Sequence, residues 1–219
     1  MDPLDPLTWT FKDLRARKMF ILSDVCIPAD QSGGTSMRIV GLNVDERVNL
    51  QALLHQEVLA VDVPEGETSS GDLLPVNLSA LRLTCDGNSP TFLTVRSVDL
   101  PEGVELFVIE IAASLNVRRY PGGPAVNWHS IAILTDELRG STIEDIRLLS
   151  AGWQVVAGDS IGHSYYGKDP RFLSYDLSDD AMTYHVEDGV VLFFSNGSAL
   201  TISATGDLNG TLKLWYSRA

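Results

Sequence analysis

The residues best suited to do chemistry stand together in Gly158-Asp159-Ser160-Ile161-Gly162-His163. Small residues on either side of a serine allow a tight turn to present its hydroxyl, the G-x-S-x-G arrangement in which a strand leads into an exposed nucleophile. Gln154 to Ala157 reads as the strand before it, and His163 is the nearest base to Ser160. An elbow of this kind also needs a helix behind the serine, and Ser164 to Pro170 has poor helical character. Ser160 with His163 is therefore carried as a serine-hydrolase alternative, with a structural turn as the leading reading of the segment.

Gly158-Asp159-Ser160 is similar to the Gly-Asp-Ser segment of chymotrypsin-like proteases, and the order His55, Asp99, Ser160 matches that family's order of histidine, aspartate and serine. The resemblance implies an all-β hydrolase. It is confined to these points: Leu53-Leu54-His55-Gln56 lacks the family's Ala-Ala-His context, and Ile161 stands where the family has glycine. The same residues resemble the first block of the GDSL hydrolases. That fold is α/β, and Asp180 and His185 do not have the spacing of its closing pair. Neither family is adopted.

A second group follows directly. Tyr165, Tyr166, Phe172 and Tyr175 fall in a polar stretch from Gly158 to Asp180 that reads as a long loop. Tyrosine supplies contact area at low entropic cost, so these four are the candidate binding residues, for a protein surface or for sugar rings. His129, His163 and His185 show no short spacing to one another, and Asp176, Asp179, Asp180, Glu187 and Asp188 do not form a calcium-loop pattern, so no metal site is expected. No phosphate loop, dinucleotide fingerprint or Cys-x-x-Cys occurs, and no cofactor is expected.

The elements that must position these residues are strands. Asn196-Gly197 between Val190–Ser195 and Ser198–Ser203 predicts a two-residue type I′ hairpin pairing Ser195 with Ser198, Phe193 with Leu200 and Val191 with Ile202. Thr211 to Tyr216 adds a third strand to this meander. Val190, Leu192 and Phe194 would then line the opposite face, too apolar for water, so a cover from the chain or a partner is expected. Upstream, Leu73 to Cys85, Thr91 to Val98 and Val104 to Ala112 read as strands separated by Gly- and Pro-bearing turns. Met19 to Ile27 and Ser36 to Val44 read as a hairpin, and Trp128 to Leu134 as another strand. Within Val48 to Val63, at most one helical turn is expected before a strand. Helices are expected from Asp5-Pro6 to about Arg17, and after a Ser141-Thr142-Ile143-Glu144 capping box, with Ile143, Ile146 and Leu149 on one side. The predicted architecture is an all-β, mostly antiparallel sandwich with one or two short helices. It spans residues 1–219 as a single β domain or as two closely packed halves divided near 117–125.

Composition sets the partners. A formal net charge of −13 over 219 residues disfavours nucleic acid and anionic membrane, whose affinity depends on Lys and Arg. Self-association or a basic protein remains. Cys26 and Cys85 lie inside apparent strands and read as buried free thiols, although a bond between them is the other possibility. The N-terminal residues have no secretory pattern, and a cytoplasmic location is expected. The leading functional expectation is a non-enzymatic binding protein, in its most concrete form an acidic immunity- or inhibitor-like partner of a basic protein. Serine hydrolysis at Ser160 and carbohydrate binding are the alternatives.

Overall fold

The computed structural model describes residues 10–16, 20–21, 37–67, 77–114, 126–156, 159–163, 182–205 and 210–219. The first half holds α1 (Phe11–Ala16), β1 (Phe20–Ile21), β2 (Met37–Val40), α2 (Val44–Gln51), β3 (Val58–Pro64), β4 (Asn77–Leu78), β5 (Ala80–Cys85), β6 (Thr91–Asp99) and β7 (Glu105–Ala112). The second holds β8 (Trp128–Ser130), α3 (Ala132–Leu138), β9 (Ile143–Val156), β10 (Asp159–His163), β11 (Met182–Phe194), β12 (Ser198–Thr205) and β13 (Thr211–Arg218). The protein is all-β, with its strands in two sheets.

The eight-stranded sheet runs β1-β9-β11-β12-β13-β4, with β10 also on β9 and β2 also on β11; the five-stranded sheet runs β7-β6-β5-β3-β8. Among the described residues, every strand pairing is antiparallel except that of β2 with β11. Between β4 and β5 only Ser79 intervenes, yet the two strands belong to different sheets. Glu67 holds this crossing by accepting from the Ser79 N–H at 2.9 Å and from its hydroxyl.

Strand alternation builds one shared core. Val61, Val63, Leu81, Leu83, Leu93, Ile109 and Ile111 of the smaller sheet meet Ile146, Leu148, Val190, Leu192, Leu200, Ile202, Leu212 and Leu214 of the larger. Leu50 and Leu53 from α2 and its following turn, and Leu134 and Leu138 from α3, pack into the same core. Two faces thus lose their apolar area to each other, which is the main stabilising term of such a sandwich.

The hairpin of β11 and β12 lies where the sequence places it, but one residue out of register. Phe193 pairs with Ala199, Leu192 with Leu200 and Val190 with Ile202. The turn is the three-residue connection Ser195–Gly197: Gly197 N–H donates to Phe194 O at 3.0 Å, and of the turn residues only Gly197 has positive φ, at 77°. Asn196 instead uses its side-chain oxygen, accepting from the Ser198 N–H at 3.0 Å. This is a type I turn with a glycine bulge in place of the predicted type I′, and a slip of one residue exchanges the faces. Val190, Leu192 and Phe194 therefore face the shared core, covered by the chain itself, while Val191, Phe193 and Ala199 face outward against Leu14 of α1.

Other expectations are corrected by long-range pairing. The helix predicted after the Ser141–Glu144 capping box is strand β9: a bulge, in which Phe193 pairs with Asp145 and Phe194 with Ile143, leaves Glu144 out of the ladder and gives Ile143 and Ile146, which share the core face, a helical spacing, while Leu149 faces the opposite cluster. The strand predicted over Trp128–Leu134 stops at Ser130 and becomes α3, pinned where Thr135 Oγ1 accepts from Val61 N–H at 3.1 Å. Of the hairpin expected over Met19–Ile27 and Ser36–Val44, residues 22–36 lie outside the described residues; among those described, β1 pairs with β9 and β2 with β11. Helix α2 exceeds the single turn expected, because Asn43 and Glu46 form a reciprocal capping box in a stretch read as strand.

Candidate functional site

The predicted catalytic pair lies on β10. Ser160 stands opposite Val155 and His163 opposite Gly152, so residues 159–163 continue the antiparallel ladder of β9 where a loop was expected. Ser160 is at a strand position, not at a strand-to-helix turn. Tyr165, Tyr166, Phe172 and Tyr175 lie outside the described residues, as does Cys26.

His55 and Asp99, the other members of the protease-like order, are kept apart by β6. Asn88 Nδ2 donates to Ala52 O at 3.1 Å, which sets the Thr91 end of β6 beside the turn that carries His55. Asp99 closes the other end of that nine-residue strand, about 26 Å away at ordinary strand rise.

The described residues bring together two other assemblies. The first forms where β2 meets α2. One step beyond the last ladder pair, Val186 with Val40, the Glu187 carboxylate folds back over Gly41. It accepts from Leu42 N–H at 2.9 Å and pairs with Arg47. Arg47 Nε donates to Leu42 O at 3.3 Å, Arg96 Nη2 to Gly41 O at 2.7 Å, and Arg96 Nε lies 3.5 Å from Glu46 Oε1. A methyl group at Gly41 would overlap the Glu187 carboxylate, so glycine is required for the close approach. His185, two residues earlier and buried, has its pKa lowered by desolvation, with the charge of Glu187 acting in the opposite direction.

The second lies on the face of the five-stranded sheet away from the core. Asp62 pairs in register with Arg82, Arg82 with Phe92, and Asp62 with Ser130 on its other side. Arg82 Nε donates to Asp62 Oδ2 at 2.9 Å and Ser130 Oγ to Asp62 Oδ1 at 2.7 Å. The Arg82 guanidinium sits 4.9 Å from the Trp128 ring centroid, and the Phe92 and Trp128 rings are 5.5 Å apart. Trp128 and Phe92 reach each other from β8 and β6 across the two intervening strands, over the rank that holds Asp62 and Arg82. Both rings are half-buried, while Asp62 is 6% exposed and Arg82 28%.

Chemically, both assemblies hold rather than react. Each oxygen of Glu187 and of Asp62 already accepts a hydrogen bond from within the chain. Cys85 is buried, and desolvation pushes its thiol up to about 11, which disfavours the nucleophilic thiolate. Among the described residues, no group of three or more His, Cys, Asp or Glu side chains could hold a metal ion, and no helix is long and apolar enough to cross a membrane.

None of Asp62, Arg82, Phe92 or Trp128 is singled out as a functional candidate by the sequence patterns, and Glu187 is weighed there only as a metal ligand. A signal was present for two of them. Val61-Asp62-Val63 and Leu81-Arg82-Leu83 each set one charge inside an apolar strand, and alternation turns both charges away from the core. Comparison with family models, curated proteins and solved structures finds no match to this chain.

Proposed function

We propose that the protein is a non-catalytic binding protein and that its partner is a basic polypeptide. The observation that carries this reading is the distribution of charge. Arg15, Arg47, Arg82, Arg96, Arg147 and Arg218 each lie within ion-pair distance of a carboxylate of the same chain. Carboxylates such as Asp45, Glu57, Glu65, Asp86 and Asp136 are instead exposed. Asp99 and Glu105 even stand directly opposite each other on β6 and β7, like charges that repel within the fold and attract a cation from outside. With a net charge of −13, such a surface steers a basic partner and repels an acidic one.

The test is affinity capture from source cells, with stoichiometry and salt sensitivity read by mass spectrometry. A stoichiometric partner of high isoelectric point, released by salt, is expected. Capture of an acidic partner, or recovery of the protein alone, would overturn the reading.

A further inference from the structure

The turn between β11 and β12 carries a chemistry that its structural role leaves unused. In an Asn-Gly dipeptide the glycine nitrogen can attack the asparagine carboxamide, because no Cβ on the following residue blocks the approach. The amide N–H gives up its proton, the N–Cγ bond forms, ammonia leaves and a succinimide ring remains. Water then opens that ring to aspartate, or to isoaspartate, in which the backbone runs through the former side chain. Asn196 is exposed and is followed by Gly197.

In the folded chain every group that this reaction needs is engaged elsewhere. Gly197 N–H donates to Phe194 O at 3.0 Å, so on losing its proton the nitrogen would face a carbonyl oxygen and not Asn196 Cγ. Asn196 Nδ2 donates to Glu137 O at 2.9 Å, and its Oδ1 accepts from Ser198 N–H at 3.0 Å and from Ser198 Oγ at 2.6 Å. The two Ser198 donors polarise the carboxamide, which by itself favours attack. The nucleophile decides, since it points away. The turn is also tied down on both sides, where Ser195 N–H donates to Thr142 O and Ala219 N–H to Gly197 O, each at 2.9 Å.

We propose that Asn196-Gly197 is a deamidation site held shut by the fold, reacting only in molecules whose β11–β12 turn has opened, and that its products weaken the turn. Either product replaces the Nδ2 donor by a carboxylate oxygen, which meets the Glu137 carbonyl as acceptor against acceptor. Isoaspartate also lengthens the backbone of a turn whose closing bond fixes its length. A transient opening is thereby recorded as a lasting covalent change.

The experiment holds the full chain at mildly alkaline pH, natively and in urea above the unfolding midpoint. Peptides carrying Asn196 are followed by mass spectrometry, with fragmentation that separates aspartate from isoaspartate. The chain's other Asn-Gly, Asn209-Gly210, supplies the unfolded-state rate in the same urea sample. Conversion of Asn196 in urea is expected to be comparable to that of Asn209, and at least about tenfold slower in the native sample, because only the open fraction reacts. A smaller difference between native and urea samples would overturn the protection, and an inert Asn196 in urea while Asn209 converts would overturn the site. Asn196→Asp reproduces one product and is expected to lower the urea midpoint; an unchanged midpoint would overturn the weakening of the turn.

Discussion

The outward faces of the two sheets are assembled from the same parts and completed differently. On the eight-stranded sheet, Arg15 and Arg147 lie 4.2 and 5.0 Å from the Phe193 ring centroid, and Asp145 pairs with both, at 3.5 and 2.8 Å. Phe11 of α1 meets that ring edge-on at 5.9 Å, and Phe193 has no exposed surface. On the five-stranded sheet, Arg82, Asp62, Phe92 and Trp128 repeat the unit of arginine, carboxylate and two aromatic rings, yet both rings stay half-exposed. The pairing chemistry is satisfied in both places. What differs is whether the chain supplies the cover: with it the unit becomes core, and without it the unit is an ordered surface.

That contrast predicts unequal costs of truncation. Phe193→Ala should destabilise the protein by about 3–5 kcal/mol, as for a fully buried aromatic, and Trp128→Ala by only about 1–2 kcal/mol, both read from urea midpoints. Equal costs would mean that the two faces are equally core. The buried pair beneath neither face sets the upper end for charges: Glu187→Ala leaves Arg47 uncompensated and should cost about 3–5 kcal/mol. Asp62→Ala, with its arginine 28% exposed, should cost about 1–3 kcal/mol. Asp145→Ala, itself 26% exposed, should cost less than about 1 kcal/mol. A different order of the three would break the link between cover and energy.

Acid should distinguish the sheets as well. His185 lies on β11 of the larger sheet, and its folded-state pKa is below the ordinary 6.5, so the unfolded chain takes up this proton first as pH falls. Its contribution to stability is therefore complete above 6.5 and is lost progressively below it, down to the lowered folded value. Urea midpoints measured across that window should fall, and His185→Gln should flatten the decline; an unchanged slope would assign it to other groups. The smallest effect is expected far from both outer faces. His55 is exposed and has positive φ, at 63°, so His55→Gly should stabilise the chain by less than about 1 kcal/mol, read from the same urea midpoints.

Much of the smaller sheet was legible because its signals are local. Thr91–Val98 and Val104–Ala112 appear within a residue of β6 and β7, bounded by turns in which Gly87 and Gly103 take positive φ. The candidate assemblies were less legible. Asp62 and Arg82 are twenty positions apart, and only antiparallel pairing of β3 with β5 puts one opposite the other. Glu187 and Arg47 are 140 apart, and joining them requires the parallel pairing of β2 with β11, which no turn between them announces. A charge within an apolar strand signals that a partner is needed, but does not identify it.

The sequence by itself determined that the chain is all-β, where most of its strands run, and that a tight turn joins β11 to β12. Those features follow from alternation and from the backbone preferences of Gly, Asn and Pro, which act over a few residues. Tertiary structure decided the rest. It set the β11–β12 register, since Val190–Phe194 is apolar on both faces and burial could have favoured either; the turn geometry chose between them. It made 143–156 a strand, because Ile146 and Leu148 face one cluster and Leu149 another, a division that exists only once both sheets and α1 are in place. It also decided which Arg–aromatic unit is covered, since cover is a contact between distant parts of the chain and no local pattern encodes it.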